Sequence, residues 1–162
     1  MTSYAAQTTV DTGRSREEIE RTLTRFRATQ VAWMRDDETG RVIVAFKRDG
    51  KTYKFVLQMP TLTDRMIQYT PKQMILRTDA QRRDALEQER RRRFRSLANL
   101  LKATLDAIDT GIISEEAALL SNLILPNGST VQEFLLPQID RMLEAGEMPD
   151  LRHALTAGED RR

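Results

Sequence analysis

The chain contains no cysteine and a single histidine, His153, and no apolar run approaches the ~20 residues of a membrane span. Without cysteine there are no disulfides, thiolate metal sites or thiol nucleophiles. A lone histidine, with no second histidine or thiolate, builds neither a nucleophile–base pair nor a zinc centre. Glycine-rich phosphate loops and the G-x-S-x-G pattern are missing as well. Glu115-Glu116, the adjacent carboxylates that could suggest acid–base work, stand at a predicted helix start, where the helix dipole accounts for them. Asp36-Asp37-Glu38 is an acidic triplet in a predicted turn and lacks the further oxygen ligands that a calcium loop requires. These absences argue against an enzyme: no catalytic residue, metal ligand or cofactor site is expected. Met1 to Gly13 has no apolar signal stretch, so it reads as a disordered lead-in, and the cytoplasm is the expected location.

Arginine is what the chain has in quantity. Of 26 Lys and Arg, 21 are arginine, and Arg90 to Arg95 reads Arg-Arg-Arg-Arg-Phe-Arg. Residues 1–95 hold 21 basic against 13 acidic side chains, and residues 96–162 hold 5 against 11. The near-neutral total therefore hides a basic front and an acidic back. GC-rich coding explains arginine in place of lysine, but it does not explain the clustering.

The hydrophobic pattern predicts an α+β fold. Ser15-Arg16-Glu17-Glu18 forms a capping box that opens a helix burying Ile19, Leu23 and Phe26 and ending near Thr29. A three-stranded antiparallel β-meander follows, with strands at Gln30–Arg35, Arg41–Lys47 and Lys51–Gln58 joined at Gly40 and at Asp49-Gly50. The two-residue turn sets Phe46 against Tyr53, Val44 against Phe55 and Val42 against Leu57, all on one face. Tyr53 and Phe55 are expected in the core rather than as a base-stacking platform, and Trp33 is expected to be buried. Ile43, Ala45, Lys47, Thr52, Lys54 and Val56 form the mixed opposite face. Residues 59–77 form a connector whose Met66, Ile67, Met74, Ile75 and Leu76 are expected to pack across the sheet.

A long helix is expected from Thr78 to Gly111, docked through Phe94, Leu97, Leu101, Leu105 and Ile108 and projecting at its N-terminal end. Ser114 caps another helix with Ala117, Leu120, Leu123 and Ile124 as its apolar set. Thr130-Val131-Gln132-Glu133 caps a last one, which Pro137 should kink or restart. The expected organisation is a disordered lead-in at 1–14, an α-β-β-β-α core at 15–111, a helical C-terminal subdomain at 112–149 and a flexible tail at 150–162.

The candidate site is basic. Arg82, Arg83, Arg90, Arg91, Arg92, Arg93 and Arg95 lie on the long helix, and Lys47, Lys51 and Lys54 on the hairpin. Arginine forms charge-assisted bidentate bonds to phosphate, so DNA or RNA is one expected partner. Against this, Glu87 and Glu89 stand four residues before Arg91 and Arg93, the favourable order for intrahelical pairs, which would make the helix a self-neutralised solvated face. A second open reading is a protein-interaction module. It would act on an acidic surface of another protein, or on a second copy of the chain, with basic front meeting acidic back.

Glu20-Arg21-Thr22-Leu23, Arg92-Arg93-Phe94-Arg95 running to Leu100-Leu101-Lys102, and Ile124 to Val131 together resemble small uncharacterised proteins encoded by phages and prophages of GC-rich bacteria. The resemblance spans residues 15–149. It implies a mobile-element origin and brings no established activity or functional residues. The helix–three strands–helix order is also similar to double-stranded-RNA-binding domains, and its later part to phage single-strand annealing proteins, as topology alone.

Overall fold

The computed structural model describes residues 4–36 and 38–146, with side chains from Gly13 onward. It is an α+β fold. Helix α1 (Tyr4–Arg25) leads into strands β1 (Gln30–Asp36), β2 (Arg41–Arg48) and β3 (Lys51–Gln58), a short α2 (Arg65–Gln68) and the long α3 (Asp79–Asp109). Helix α4 (Glu115–Leu119), a 3-10 turn at Leu120–Asn122 and α5 (Val131–Glu144) complete it.

The strands form one antiparallel sheet in the order β1-β2-β3. The register has Arg48 opposite Lys51, Phe46 opposite Tyr53, Val44 opposite Phe55 and Val42 opposite Leu57, as the Asp49-Gly50 turn dictates. On the other side, Val31 and Trp33 face Phe46 and Val44, so β1 adds to the same inner face. Helices α1 and α3 cover that face: Ile19, Leu23 and Phe26 meet Phe94, Leu97, Leu101 and Leu105 over Val44, Phe46 and Tyr53 in one cluster. Burying such a set is the main favourable term in folding. Arg27, just past α1, lies 3.6 Å from Asp109 at the end of α3 in an exposed ion pair where the two helices end. The opposite sheet face is partly open, with Met34 and Val56 exposed.

Several expectations are corrected. Helix α1 begins at Tyr4, so residues 4–14 of the expected disordered lead-in have helical backbone and Ser15 lies inside the helix rather than at its cap. A helix docked by Ile19, Leu23 and Phe26 extends upstream cheaply, because nucleation is the costly step. It also ends earlier than Thr29. Arg27 takes a left-handed φ of 67°, and the Ala28 amide donates to the Leu23 carbonyl, closing a Schellman-type end without glycine.

In the connector, Ile67 is buried and α2 lies against α3, whereas Met66, Met74, Ile75 and Leu76 remain exposed. A small hairpin, with Tyr69 bridged to Leu76, satisfies the backbone there without burying those side chains.

The predicted third helix is broken. After α4 and its 3-10 turn, Leu123 bridges Tyr53 and the Ile124 amide donates to Thr52, so this stretch extends along the edge of β3. Leu119, the last residue of α4, enters the core, whereas Leu120 at the start of the 3-10 turn is exposed. Pro137 sits within a continuous α5, neither ending nor restarting it. The expected flexible tail at 150–162, with His153, lies outside the described residues, as does Asp37.

Candidate functional site

Helix α3 is built in two unlike halves. Its start is secured by a capping box: Thr78 accepts from the Gln81 amide, and the Gln81 side chain accepts from the Thr78 amide. Every buried residue of α3 lies at or beyond Phe94. The N-terminal half, carrying seven arginines over residues 82–95 against Asp84, Glu87 and Glu89, therefore adds nothing before Phe94 to the core, although Arg90, Arg91 and Arg93 are half-buried.

The acids neutralise only part of that charge. Glu87 pairs with Arg91 at 3.2 Å, and Glu89 with both Arg93 at 3.2 Å and Arg92 at 2.8 Å. Hydrogen bonding from Arg92, followed by that from Arg93, holds the Glu89 carboxyl below its ordinary range. Arg82 pairs with Asp79, and Arg93 also donates to the Gln58 carbonyl at the end of β3. Arg83, Arg90 and Arg95 take part in no ion pair among the described residues. At 100° per residue, Arg83 and Arg90 continue the line of Phe94 and Leu101. The stripe that is apolar inside the core becomes cationic where it leaves it.

The hairpin behaves differently. Lys51 contacts Glu116, and Lys54 pairs with Glu133 at 3.0 Å. Lys47 pairs across the strands with Gln30 and Thr52 through its backbone and has no acid partner among the described residues. Glu133 is held below its usual range first by the Thr130 amide and then by Lys54, and Glu116 by Lys51. Two of the three lysines expected to widen a polyanion surface thus tether the C-terminal subdomain. Part of the contrast between basic front and acidic back is satisfied within one chain.

Sequence reasoning missed a buried charge cluster at the same junction. Arg48 is 3% exposed and lies 3.3 Å from Glu115, on whose other oxygen the Tyr53 hydroxyl donates. The Arg48 Nε and Nη1 atoms make no aligned hydrogen bond, so the contact is ionic rather than directional. Burial, then the Glu115 contact, pushes the Tyr53 phenol far above its ordinary value. A signal was present: Val42, Val44, Phe46 and Arg48 share the inward-facing alternation of β2. Glu115 does more than favour the dipole of α4.

The remaining candidates have structural roles. The Asp36 carboxylate accepts from the Glu38 and Thr39 amides and the Thr39 hydroxyl, and the hydroxyl contributes most to lowering its pKa. Tyr53 is fully buried and Phe55 partly so, and the inner face they share is covered by α1 and α3. Trp33 is half-buried, its ring tilted 45° against Phe94 and lying under Arg16, with its indole N–H donating to Glu20 at 2.7 Å. Among the described residues no group of three or more His, Asp or Glu could hold a metal ion, and no helix is long and apolar enough to cross a membrane. No protein-family model matches the chain, and neither a curated protein nor a solved structure matches it.

Proposed function

We propose that the chain is a non-enzymatic accessory protein that binds nucleic acid along the N-terminal half of α3. The observation that carries this reading is the presence of Arg83, Arg90 and Arg95 on a helix half outside the core, with no acid partner among the described residues. Arg91, Arg92 and Arg93 add to the field. Arg91 and Arg92 keep much of their guanidinium side exposed while paired, so they can meet a phosphate without losing Glu87 or Glu89. The binding is to backbone phosphates, because nothing in the arrangement reads base edges. A mobile-element origin, as the sequence resemblance implies, is compatible with such a role.

The test is oligonucleotide binding by the purified chain across a salt series. Affinity should fall steeply with salt. Replacing Arg83, Arg90 and Arg95 together with glutamine should lower the slope of log affinity on log salt by about 2–3. A slope unchanged in that variant would defeat the proposal.

A further inference from the structure

Two apolar surfaces are left open, and they differ in what surrounds them. Helix α5 keeps Phe134, Leu135, Ile139 and Met142 exposed, and none of its residues is buried. Its acids Glu133, Asp140 and Glu144 lie on the opposite side of the helix, so that stripe has no charge to select an occupant. The connector between β3 and α3 does carry charge beside its apolar side chains. Met66, Met74, Ile75 and Leu76 are exposed there, Ile75 and Leu76 by 56% and 60%. Arg65 and Lys72 are exposed next to them and take part in no ion pair among the described residues. Arg77 adds a third cation, its guanidinium donating to the Met66 and Ile67 carbonyls at 2.8 and 3.0 Å. The one acid of the segment, Asp64, accepts from the Thr61 amide and hydroxyl at 3.0 and 2.9 Å.

The shape of the connector narrows the occupant further. Every residue from Pro71 to Leu76 is exposed, so the hairpin is a projection and not the wall of a groove. Ile75 and Leu76 are neighbours on its returning limb, where successive side chains point to opposite sides, yet each is more than half exposed. A flat protein surface covers one side of such a tip, whereas a fluid apolar medium covers both. The base is firm, because Ile67 is buried and α2 packs against α3. The backbone is bonded within the hairpin: the Thr70 amide donates to Ile75, the Met74 amide to Thr70, the Ile75 amide to the Thr70 hydroxyl and the Arg77 amide to Gln68. Unbonded backbone groups are what keep most loops out of lipid. We propose that this hairpin inserts into the surface of an anionic lipid bilayer. Met66, Met74, Ile75 and Leu76 enter the boundary between headgroups and acyl chains, and Arg65, Lys72 and Arg77 meet the lipid phosphates. The chain lies on the membrane and does not cross it, in keeping with the lack of a spanning helix among the described residues. Nucleic acid would supply phosphates but no apolar phase for both Ile75 and Leu76. The contact uses none of the free α3 arginines and stands independently of nucleic-acid binding.

The experiment is co-sedimentation of the nuclease-treated full chain with lipid vesicles. The chain should sediment with vesicles of phosphatidylcholine and phosphatidylglycerol, and not with phosphatidylcholine alone. Arg65→Gln/Lys72→Gln should weaken that binding by about tenfold. Ile75→Asp/Leu76→Asp should abolish it, while Ile75→Trp/Leu76→Trp should bind more tightly, because tryptophan favours the headgroup boundary. A gain in one variant and a loss in the other cannot both come from misfolding. Since the chain has no cysteine, Gln73→Cys takes a single environment-sensitive dye, whose emission should shift to the blue on anionic vesicles. The Arg83/Arg90/Arg95 glutamine variant should still sediment. Absence of binding to anionic vesicles, equal binding to neutral ones, an aspartate variant that binds unchanged, or a dye that stays in water would each overturn the proposal. A chain that binds oligonucleotide but no vesicle would overturn this inference and leave the function proposed above intact.

Discussion

The hairpin and the first half of α3 are both basic in sequence, yet their charges have different fates. On the hairpin, Arg48, Lys51 and Lys54 each meet an acid from more than sixty positions later in the chain, at Glu115, Glu116 and Glu133. On the first half of α3, Asp79, Glu87 and Glu89 pair with arginines one helical turn away, and Arg83, Arg90 and Arg95 have no ion pair among the described residues. A cluster of cations becomes a surface field only where tertiary structure fails to supply counter-charges. The first region holds the molecule together; the second faces outward.

The largest effect should come from breaking the buried member of the first region. Glu115→Ala would leave the buried Arg48 with only the more distant Asp49 carboxylate at 3.8 Å, at a cost of about 3 kcal/mol, read as a lower urea midpoint. Converting Arg48 to Met alongside Glu115→Gln should recover much of that loss, and failure to do so would mean the cluster stabilises by packing rather than charge. Next come the paired tests of binding. The glutamine substitutions at Arg83, Arg90 and Arg95 should reduce oligonucleotide affinity and salt dependence, while Lys51→Gln/Lys54→Gln should leave both nearly unchanged. Equal losses in the two variants would erase the distinction drawn between the regions.

A smaller change in the opposite direction is expected from Glu89→Gln, which frees Arg92 and Arg93 and should tighten binding several-fold at low salt. The mildest effect is that of acid. Glu116 and Glu133 have folded values below the ordinary carboxylate value of 4.5. Their contribution to docking is therefore complete above that value and is lost as pH falls through the lower folded values. As acid protonates these two carboxylates, α4 and α5 should loosen before the sheet does, seen as early amide exchange in residues 115–144.

What was legible in the sequence follows from the range of each interaction. The hairpin register could be read because Asp49-Gly50 sets it within two residues and every apolar side chain then agrees. The limits of α3 could be read from Thr78 and Gly111, and the Glu87–Arg91 and Glu89–Arg93 pairs from spacing alone. The pairing of Lys51 and Lys54 was hidden, because nothing local shows that Glu116 and Glu133 fold back onto β3. The exposure of α5 was hidden for another reason: an apolar stripe has the same spacing whether its partner lies in the same molecule or elsewhere. The early stop of α4 came from the pull of the β3 edge on Leu123 and Ile124, a tertiary demand that overrode helical periodicity.

The Arg48–Glu115 contact also sets an order of events during synthesis. Every element that buries Val44, Phe46 and Tyr53 up to α3 has been made once Asp109 leaves the ribosome, and domains fold as their parts emerge. Glu115 comes only afterwards. Until it arrives, Arg48 has only the Asp49 carboxylate beside it, at 3.8 Å, so the end of the hairpin nearest Asp49-Gly50 lacks the closer of its two ionic contacts. The nascent protein should therefore pass through a stage in which the Gln58 end of the sheet is native and the turn end is still wet. Emergence of α4 completes it.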